Sequence, residues 1–211
     1  RYALSIISIV DPLFTLPILG MILAGILQKN GKWGRIAIIW GIIYLMVGVW
    51  QNRSAMTEAR NLAEKRGHVP NRLTVKPTFG NIILWRSIYE DSGQFYVDAI
   101  RPRPCASVFR GTSVAKLDKN KDFNWLKPNS TQWVDIKRFG RLSQNYLAKM
   151  GDGSNRVYDV RYGFIPTEIS ALWSIRLNPN ARAHEHARYE TDRSEAHHFL
   201  PILVKMILDC P

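Results

Sequence analysis

The sequence predicts an α+β membrane protein, in which an N-terminal transmembrane helical hairpin precedes a soluble, mainly antiparallel β domain with one or two packed helices. The first observation is the charge distribution: residues 1–50 carry five charged side chains, whereas the rest of the 211-residue chain carries 25 basic and 16 acidic ones. The second is that two long apolar segments fill those first 50 residues. The third is the alternation of apolar and polar residues in later segments, which is typical of half-buried antiparallel strands.

These patterns divide the chain into four parts. Two transmembrane helices occupy 1–50, a connecting helix occupies 51–66, and a soluble β-rich domain occupies 67–178. The remaining 179–211 is polar, and we expect a flexible tail there that ends in a short helix. Arg1 is followed directly by apolar sequence, without the polar start or the cleavage site of a signal peptide. We therefore expect the chain to be the C-terminal fragment of a longer membrane protein.

The first apolar segment, 4–27, contains one charged residue, and about 20 apolar residues are enough to cross a bilayer. The second, 36–50, has 15 uncharged residues, which its flanks can lengthen; the tryptophans at 33, 40 and 50 suit a membrane interface. A buried helical hairpin in a soluble core is the alternative. The absence of a polar stripe on either segment favours the membrane. Basic residues flank both ends of the second segment, so its orientation is not predicted.

The single charge in the first segment, Asp11, is a candidate functional residue. A carboxylate inside a bilayer costs a few kcal/mol, and such residues usually face the protein interior or a water-filled cavity. Pro12 and Pro17 are expected to break or kink the helix locally. The alternative is that Asp11 lies near the membrane surface, where its charge costs little, and position alone does not decide between the two.

The connecting helix is indicated by apolar residues at helical spacing and by Gly67 as a natural C-cap. Strands are predicted over 72–78, 81–90 and 94–102, and the Asp-Ser-Gly turn at 91–93 joins the last two into a hairpin.

Beyond the hairpin, the spacing of apolar residues predicts a helix over 131–149. Clean alternation predicts strands over 156–162 and 171–177. The apolar run 198–208 predicts a last helix that is too short to span a membrane.

The histidine and cysteine residues offer weak metal signals. His184 and His186 lie two residues apart, which is not the four-residue spacing of a zinc protease motif, and a solvated tail is the favoured interpretation for them and for the pair at 197–198. Cys105 and Cys210 lack the spacing of a zinc site. Two unpaired thiols are favoured over one disulfide between them.

The basic stretch after residue 100 allows three interpretations. A membrane-tethered domain with this charge is expected to be attracted to anionic lipid headgroups, and nucleic-acid binding is less favoured. A solvated basic surface without a partner is the simplest account. The sequence contains no nucleophile elbow, phosphate-binding loop or dinucleotide motif, so catalytic residues remain unknown. The cations of this stretch are Arg101, Arg103, Arg110, Lys116, Lys119 and Lys121.

Six segments together resemble the C-terminal part of the bacterial inner-membrane proteins described as metal-dependent hydrolases (YdjM-like). The likeness covers about residues 1 to 178. Its segments are RYALSIISIVDPLFTLP, VGVWQNRSA, RGHVPNRLTVKPTFGNIILWRSIY, FYVDAIRP, DIKRFGRLSQNYLA and VYDVRYGFIP.

The resemblance implies a multi-pass protein of the bacterial inner (cytoplasmic) membrane with a divalent metal, zinc being one option. The family's His-rich motif lies upstream of Arg1, so Asp11 is the single candidate ligand that carries over. We therefore expect a membrane-bound metal-dependent hydrolase of unknown substrate. The alternative is a non-enzymatic, membrane-anchored domain that binds anionic lipid or a protein partner.

Overall fold

The computed structural model describes residues 5–8 and 10–209, and within them the prediction of a mixed α+β fold with antiparallel sheets is confirmed. Four layers follow one another: a long helix, a five-stranded sheet, a four-stranded sheet and a shorter helix. A pair of apolar helices extends from one end of these layers. The described helices are α1 Pro12–Leu27, α2 Lys32–Lys65, α3 Lys119–Asp122, α4 Thr131–Leu142 and α5 Phe199–Leu208.

Helices α1 and α2 pack against each other in antiparallel directions. Near the connection, Gly25 lies close to Trp33, and further along Gly41 lies close to Phe14 and Ile18. Helix α1 begins at Pro12, so the apolar segment 4–27 is not one continuous helix. Proline is favoured at the first helical position because its missing N–H would be unsatisfied there anyway. The 16 residues of α1 rise about 24 Å, whereas a bilayer core is about 30 Å thick.

Helix α2 runs without interruption for 34 residues, or about 50 Å. Along its first half, large apolar side chains are exposed; along its second half, Ala55, Ala59 and Leu62 are buried against the five-stranded sheet. Among the described residues, α2 is the one helix long and apolar enough to cross a membrane, and α1 and α5 are shorter apolar helices. The exposed apolar residues of α2 are Ile36, Ile38, Ile39, Ile42, Ile43, Met46, Val47 and Trp50.

The first sheet contains β1 to β5, in the order β1-β2-β3-β4, and β5 also pairs with β3. The hairpin β2–β3 is the predicted one, and its turn residues Ser92 and Gly93 both have positive φ. Strand β2 is buried on both faces because α2 covers one face and the second sheet covers the other. The strands are β1 Arg72–Pro77, β2 Trp85–Asp91, β3 Gln94–Arg101, β4 Ser107–Phe109 and β5 Ser113–Ala115.

The second sheet has the order β6-β7-β8-β9 and lies between the first sheet and α4. Tyr158 and Val160 face the first sheet, whereas Val157 packs towards α4. Both faces are therefore covered, and Asp159 and Arg161, expected on an open polar face, are buried as an ion pair. The strands are β6 Leu147–Lys149, β7 Arg156–Asp159, β8 Trp173–Arg176 and β9 Arg188–Thr191.

Two elements differ from their predictions. The helix expected over 131–149 ends at Leu142, because Gln144 and Asn145 adopt positive φ and 147–149 forms β6. The segment expected to be a flexible tail contains β9, which pairs with β8. Its last helix was predicted over 198–208; α5 occupies Phe199–Leu208 and packs on the first sheet.

Candidate functional site

Asp11 lies at the head of the apolar helix pair, and its carboxylate is 3% exposed. One oxygen accepts from the backbone N–H of Phe14 at 3.2 Å, which makes Asp11 the N-cap of α1. The hydroxyl of Tyr44 on α2 lies 2.8 Å from both carboxylate oxygens. The carboxylate therefore caps the start of α1 and connects this helix to α2 through Tyr44. The position of Asp11 in the sequence did not reveal this role.

The described residues do not complete a metal site around Asp11. No group of three or more His, Cys, Asp or Glu side chains that could hold a metal ion occurs in the described part of the chain. A divalent ion needs several such donors, commonly four for zinc. Any further ligands for an ion at Asp11 would come from outside the residues described.

A second polar site is formed where α4 meets the second sheet. The carboxylate of Asp135 on α4 lies 3.0 and 3.1 Å from Nδ1 of His186 and accepts from the backbone N–H of Ala187 at 2.9 Å. With its proton on Nδ1, the imidazole keeps a lone pair on Nε2, which can accept a hydrogen bond or a proton. His186 thus has a partner 51 residues away, although its side chain is 65% exposed. His184 is exposed as well, as expected for a solvated segment.

This dyad lines a groove of about 470 Å³, which we call the His186 groove. Its walls combine aromatic and charged groups, and the rings of Trp173 and Tyr189 stack 6.1 Å apart. Arg161 donates to Asp159 and to the carbonyl of Leu142, so that guanidinium is held in place. The lining residues are Asp135, Arg138, Phe139, Leu142, Asp159, Arg161, Trp173, Ile175, His186, Ala187 and Tyr189.

The basic stretch predicted from the sequence does not form one patch. Arg101 is 3% exposed and donates to the carbonyls of Cys105 and Ile207, so it fixes the chain rather than a ligand. Arg103 and Arg110 are exposed. Three lysines of the stretch lie elsewhere: Lys116 and Lys119 line two neighbouring grooves, and Lys121 lines one of the two.

This cationic groove, of about 390 Å³, lies between the segment before α3 and helix α4. Lys116, Lys119, Lys137 and Arg141 line it, with no acidic side chain among its lining residues. A neighbouring groove shares Lys116 and Lys119 with it and reaches Trp133, over whose ring Lys119 lies at 4.6 Å. Asp118 and Asp122 also line this neighbour, so the absence of acidic side chains is confined to the first of the two grooves. Lys137 and Arg141 are four residues apart on one face of α4, a pairing that the helix prediction could have revealed.

Glu90 connects the cationic groove to the core. It pairs with Arg72 and Lys116, and although burial raises the pKa of its carboxyl, these two cations lower that pKa below its usual value. Arg72 also donates to the carbonyl of Asn145, which lines the groove. The groove is therefore built on a fixed network rather than on free surface loops.

A further buried network joins α2 to the first sheet. Arg66 donates to both carboxylate oxygens of Asp98, at 2.7 and 2.8 Å, and to the hydroxyl of Tyr89 at 3.1 Å. The hydrogen bond to Asp98 raises the pKa of Arg66, and burial raises the pKa of Tyr89. Nδ1 of His68 lies 2.8 Å from the same hydroxyl. The network holds the end of α2 against β2 and β3.

The expectation of two unpaired thiols is wrong for Cys105, which is disulfide-bonded. The other cysteine of the sequence, Cys210, lies outside the described residues. Disulfides persist in oxidising compartments, and the spacing of the cysteines gave no indication of this bond.

No protein-family model, curated protein or solved structure matches this chain.

Proposed function

We propose that the chain is a membrane-anchored, non-enzymatic domain that binds an acidic segment of a partner protein in its cationic groove. The observation that carries the proposal is the groove itself, which four cationic side chains line over about 390 Å³. Lys116 is paired with Glu90, whereas Lys119, Lys137 and Arg141 form no ion pair within the described residues. Lysine and arginine side chains suit carboxylate ligands because they present several N–H donors each.

The anchor is supported by the two halves of α2. The first half of α2 exposes eight large apolar side chains. A contiguous apolar surface of this kind is rare on soluble proteins and marks a membrane or protein contact. The apolar half of α2 continues directly into the half that is built into the sheet core, so the domain would be rigidly connected to its anchor. Helix α1 adds a second row of exposed apolar side chains: Leu13, Leu16, Leu19, Ile22, Leu23, Ile26 and Leu27.

Geometry favours a protein partner over the headgroups of the anchoring membrane. From Trp50, where the apolar half of α2 ends, to Lys65 the helix rises about 22 Å. The cationic groove lies at that far end, because Arg72, which follows α2, donates to Asn145 of the groove. Attraction between exposed charges fades over about 8 Å at physiological ionic strength. Headgroups around the anchor are therefore too distant to fill the groove.

A binding measurement tests the proposal. The chain is held in nanodiscs of neutral lipid, and its affinity for a fluorescent glutamate-rich peptide is measured. The triple substitution Lys119→Gln, Lys137→Gln and Arg141→Gln is expected to weaken binding about tenfold, since each exposed charge pair contributes up to about 1 kcal/mol. Raising the salt concentration is expected to weaken binding by the unsubstituted chain as well.

The matched control removes three exposed cations outside the groove: Arg103→Gln, Arg110→Gln and Lys127→Gln. Both variants lose the same net charge, so the control is expected to bind the peptide nearly as well as the unsubstituted chain. An equal loss in the two variants contradicts a specific groove. Binding to vesicles that contain anionic lipid is measured with the same variants. If the chain binds these vesicles as tightly as it binds the peptide, and the groove variant loses that binding, the choice of a protein partner is contradicted.

A second candidate function is the membrane-bound metal-dependent hydrolase, in which Asp11 contributes one ligand. The observation that favours it is a carboxylate buried between two apolar helices, a costly placement that functional sites often require. The hydrogen bond from Tyr44 would orient such a carboxylate, as outer-shell groups do at metal sites. In this hypothesis the remaining ligands come from residues outside the described part of the chain.

Metal analysis of the full-length protein tests this candidate. Asp11→Asn is expected to lower the affinity for zinc further than Tyr44→Phe does, because Tyr44→Phe keeps the carboxylate and removes only an outer-shell hydrogen bond, a change that costs about 10–100-fold. An unchanged metal content in Asp11→Asn removes Asp11 as a ligand. Asparagine caps a helix about as well as aspartate does, so a loss of metal in Asp11→Asn reports the ligand role of the carboxylate and not a loss of helix capping.

A further inference from the structure

Helix α5 is apolar on two faces, although only one of them packs on the domain. Its residues FLPILVKMIL contain one charged side chain, Lys205. Phe199 and Leu203 are buried against Leu84, Ala99 and Ile165 of the domain core. This first face accounts for the position of α5 but for only part of its apolar side chains.

The opposite face of α5 is exposed. Leu200, Val204 and Leu208 are 51%, 48% and 72% exposed, and their four-residue spacing places them in one row along the helix. Lys205 is exposed beside this row. An apolar row with a flanking cation is the pattern of helices that lie in the plane of a membrane interface.

The start of α5 lies at the end of the domain from which α1 and α2 extend. The ring of Phe199 packs edge-on against Phe79, with centroids 5.6 Å apart, and Phe79 is itself 49% exposed. The next residue, Gly80, donates its N–H to the carbonyl of Val10 at 3.1 Å. The start of α5 is therefore adjacent to the segment that leads into α1, and Leu200, the first residue of the exposed row, follows Phe199 at this point.

The same contacts indicate how deep the start of α5 would lie in the bilayer. Val10 precedes Asp11, which is hydrogen-bonded to Tyr44, so the start of α5 lies near the level of Tyr44 on α2. Tyr44 precedes Trp50 by six residues, or about 9 Å of helix. Trp50 is exposed at the point where α2 changes from apolar to polar, the usual position of a tryptophan at the membrane interface. Amphipathic interfacial helices are buried by about 5–10 Å, which agrees with this level.

We propose that α5 is an interfacial helix whose exposed row, Leu200, Val204 and Leu208, rests in the lipid bilayer beside the anchor. The proposal rests on the proposed membrane anchoring by α1 and α2. It gives the domain a second membrane contact at its base, which fixes the tilt of the domain and keeps the cationic groove facing away from the bilayer. The end of α5 is also held against the domain, because the guanidinium of Arg101 donates to the carbonyl of Ile207.

Lipid photocrosslinking in the full chain tests the proposal. A benzophenone amino acid replaces Val204, Leu19 or Val69 in turn, and the chain is reconstituted in phosphatidylcholine vesicles. Leu19 reports the anchor, and Val69, 81% exposed beyond the end of α2, is the matched control. We expect the lipid adduct from position 204 to exceed that from position 69 about tenfold and to approach that from position 19.

The outcomes separate the two proposals. Lipid adducts at 19 but not at 204 overturn the interfacial position of α5 and leave the anchor intact. Absence of adducts at both positions overturns the anchor, and the interfacial helix with it. An adduct from position 204 to a second copy of the chain, in place of lipid, shows that another protomer covers α5 and also overturns the proposal.

Discussion

Asp98→Ala is expected to lower the free energy of unfolding by about 3 kcal/mol, the lower end of the cost of breaking a buried ion pair. Asp98 is 1% exposed and accepts two hydrogen bonds from Arg66 and one from the N–H of Gly111. The substitution leaves the guanidinium and this amide without their acceptor. Because the side chain of Arg66 is 22% exposed, water can solvate part of its charge, which limits the loss.

Thermal unfolding of the full chain in detergent micelles measures this effect. A loss of about 3 kcal/mol corresponds to a decrease in Tm of roughly 10 °C for a chain of this length. Asp152→Ala is the control, because Asp152 also pairs with an arginine, Arg156, but its side chain is 43% exposed. The control is expected to unfold close to the unsubstituted Tm. Equal decreases in the two variants contradict a special cost at Asp98.

Gly111→Ala is expected to destabilise the chain by about 3 kcal/mol through overpacking. Gly111 lies between β4 and β5, where two backbone segments close around it. A Cβ atom at this position would overlap the carbonyl oxygens of Val97 and Thr167. Neither oxygen can yield like the end of a flexible side chain, because Val97 belongs to β3 and Thr167 accepts from the N–H of Thr112. The substitution must therefore shift the backbone.

Gly151→Ala provides the control, since no atom lies within 4 Å of a Cβ built there. It is expected to leave Tm nearly unchanged, whereas Gly111→Ala is expected to lower Tm by roughly 10 °C. A Tm for Gly111→Ala within a degree of the control would show that the β4–β5 connection relaxes freely. Such a result would also remove the packing argument for glycine at this position.

Local patterns were sufficient where each element stabilises itself. The β2–β3 hairpin was predicted because Asp-Ser-Gly at 91–93 is a turn signal and because both strands are rich in β-branched and aromatic residues. Helix α4 was predicted from its apolar spacing, but its end was not. Tyr146 continues the helical spacing in sequence, yet it packs between the sheets because the chain reverses at Gln144 and Asn145.

Strands β4, β5, β6 and β9 were not predicted, because three or four residues do not establish a period. Strands β7 and β8 are equally short, but each lies in a longer alternating run of the sequence. Strand β9, Arg188–Thr191, is polar enough to suggest a solvated tail, and it is ordered by its ladder with β8. The same ladder brings His186 to Asp135, a contact across 51 residues that spacing cannot indicate. The candidate sites depend on these long-range pairings more than on any motif.

The sequence by itself determined the apolar start of the chain and the antiparallel character of the β-rich part, because these depend on composition and on a period of two residues. The tertiary structure alone decided that Asp11 caps α1 against Tyr44, that Lys137 and Arg141 join Lys116 and Lys119 in one groove, and that α5 returns to the base of the domain. Each of these contacts joins residues far apart in the chain. Their partners are selected by the burial of apolar surface and by the pairing of polar groups that this burial removes from water.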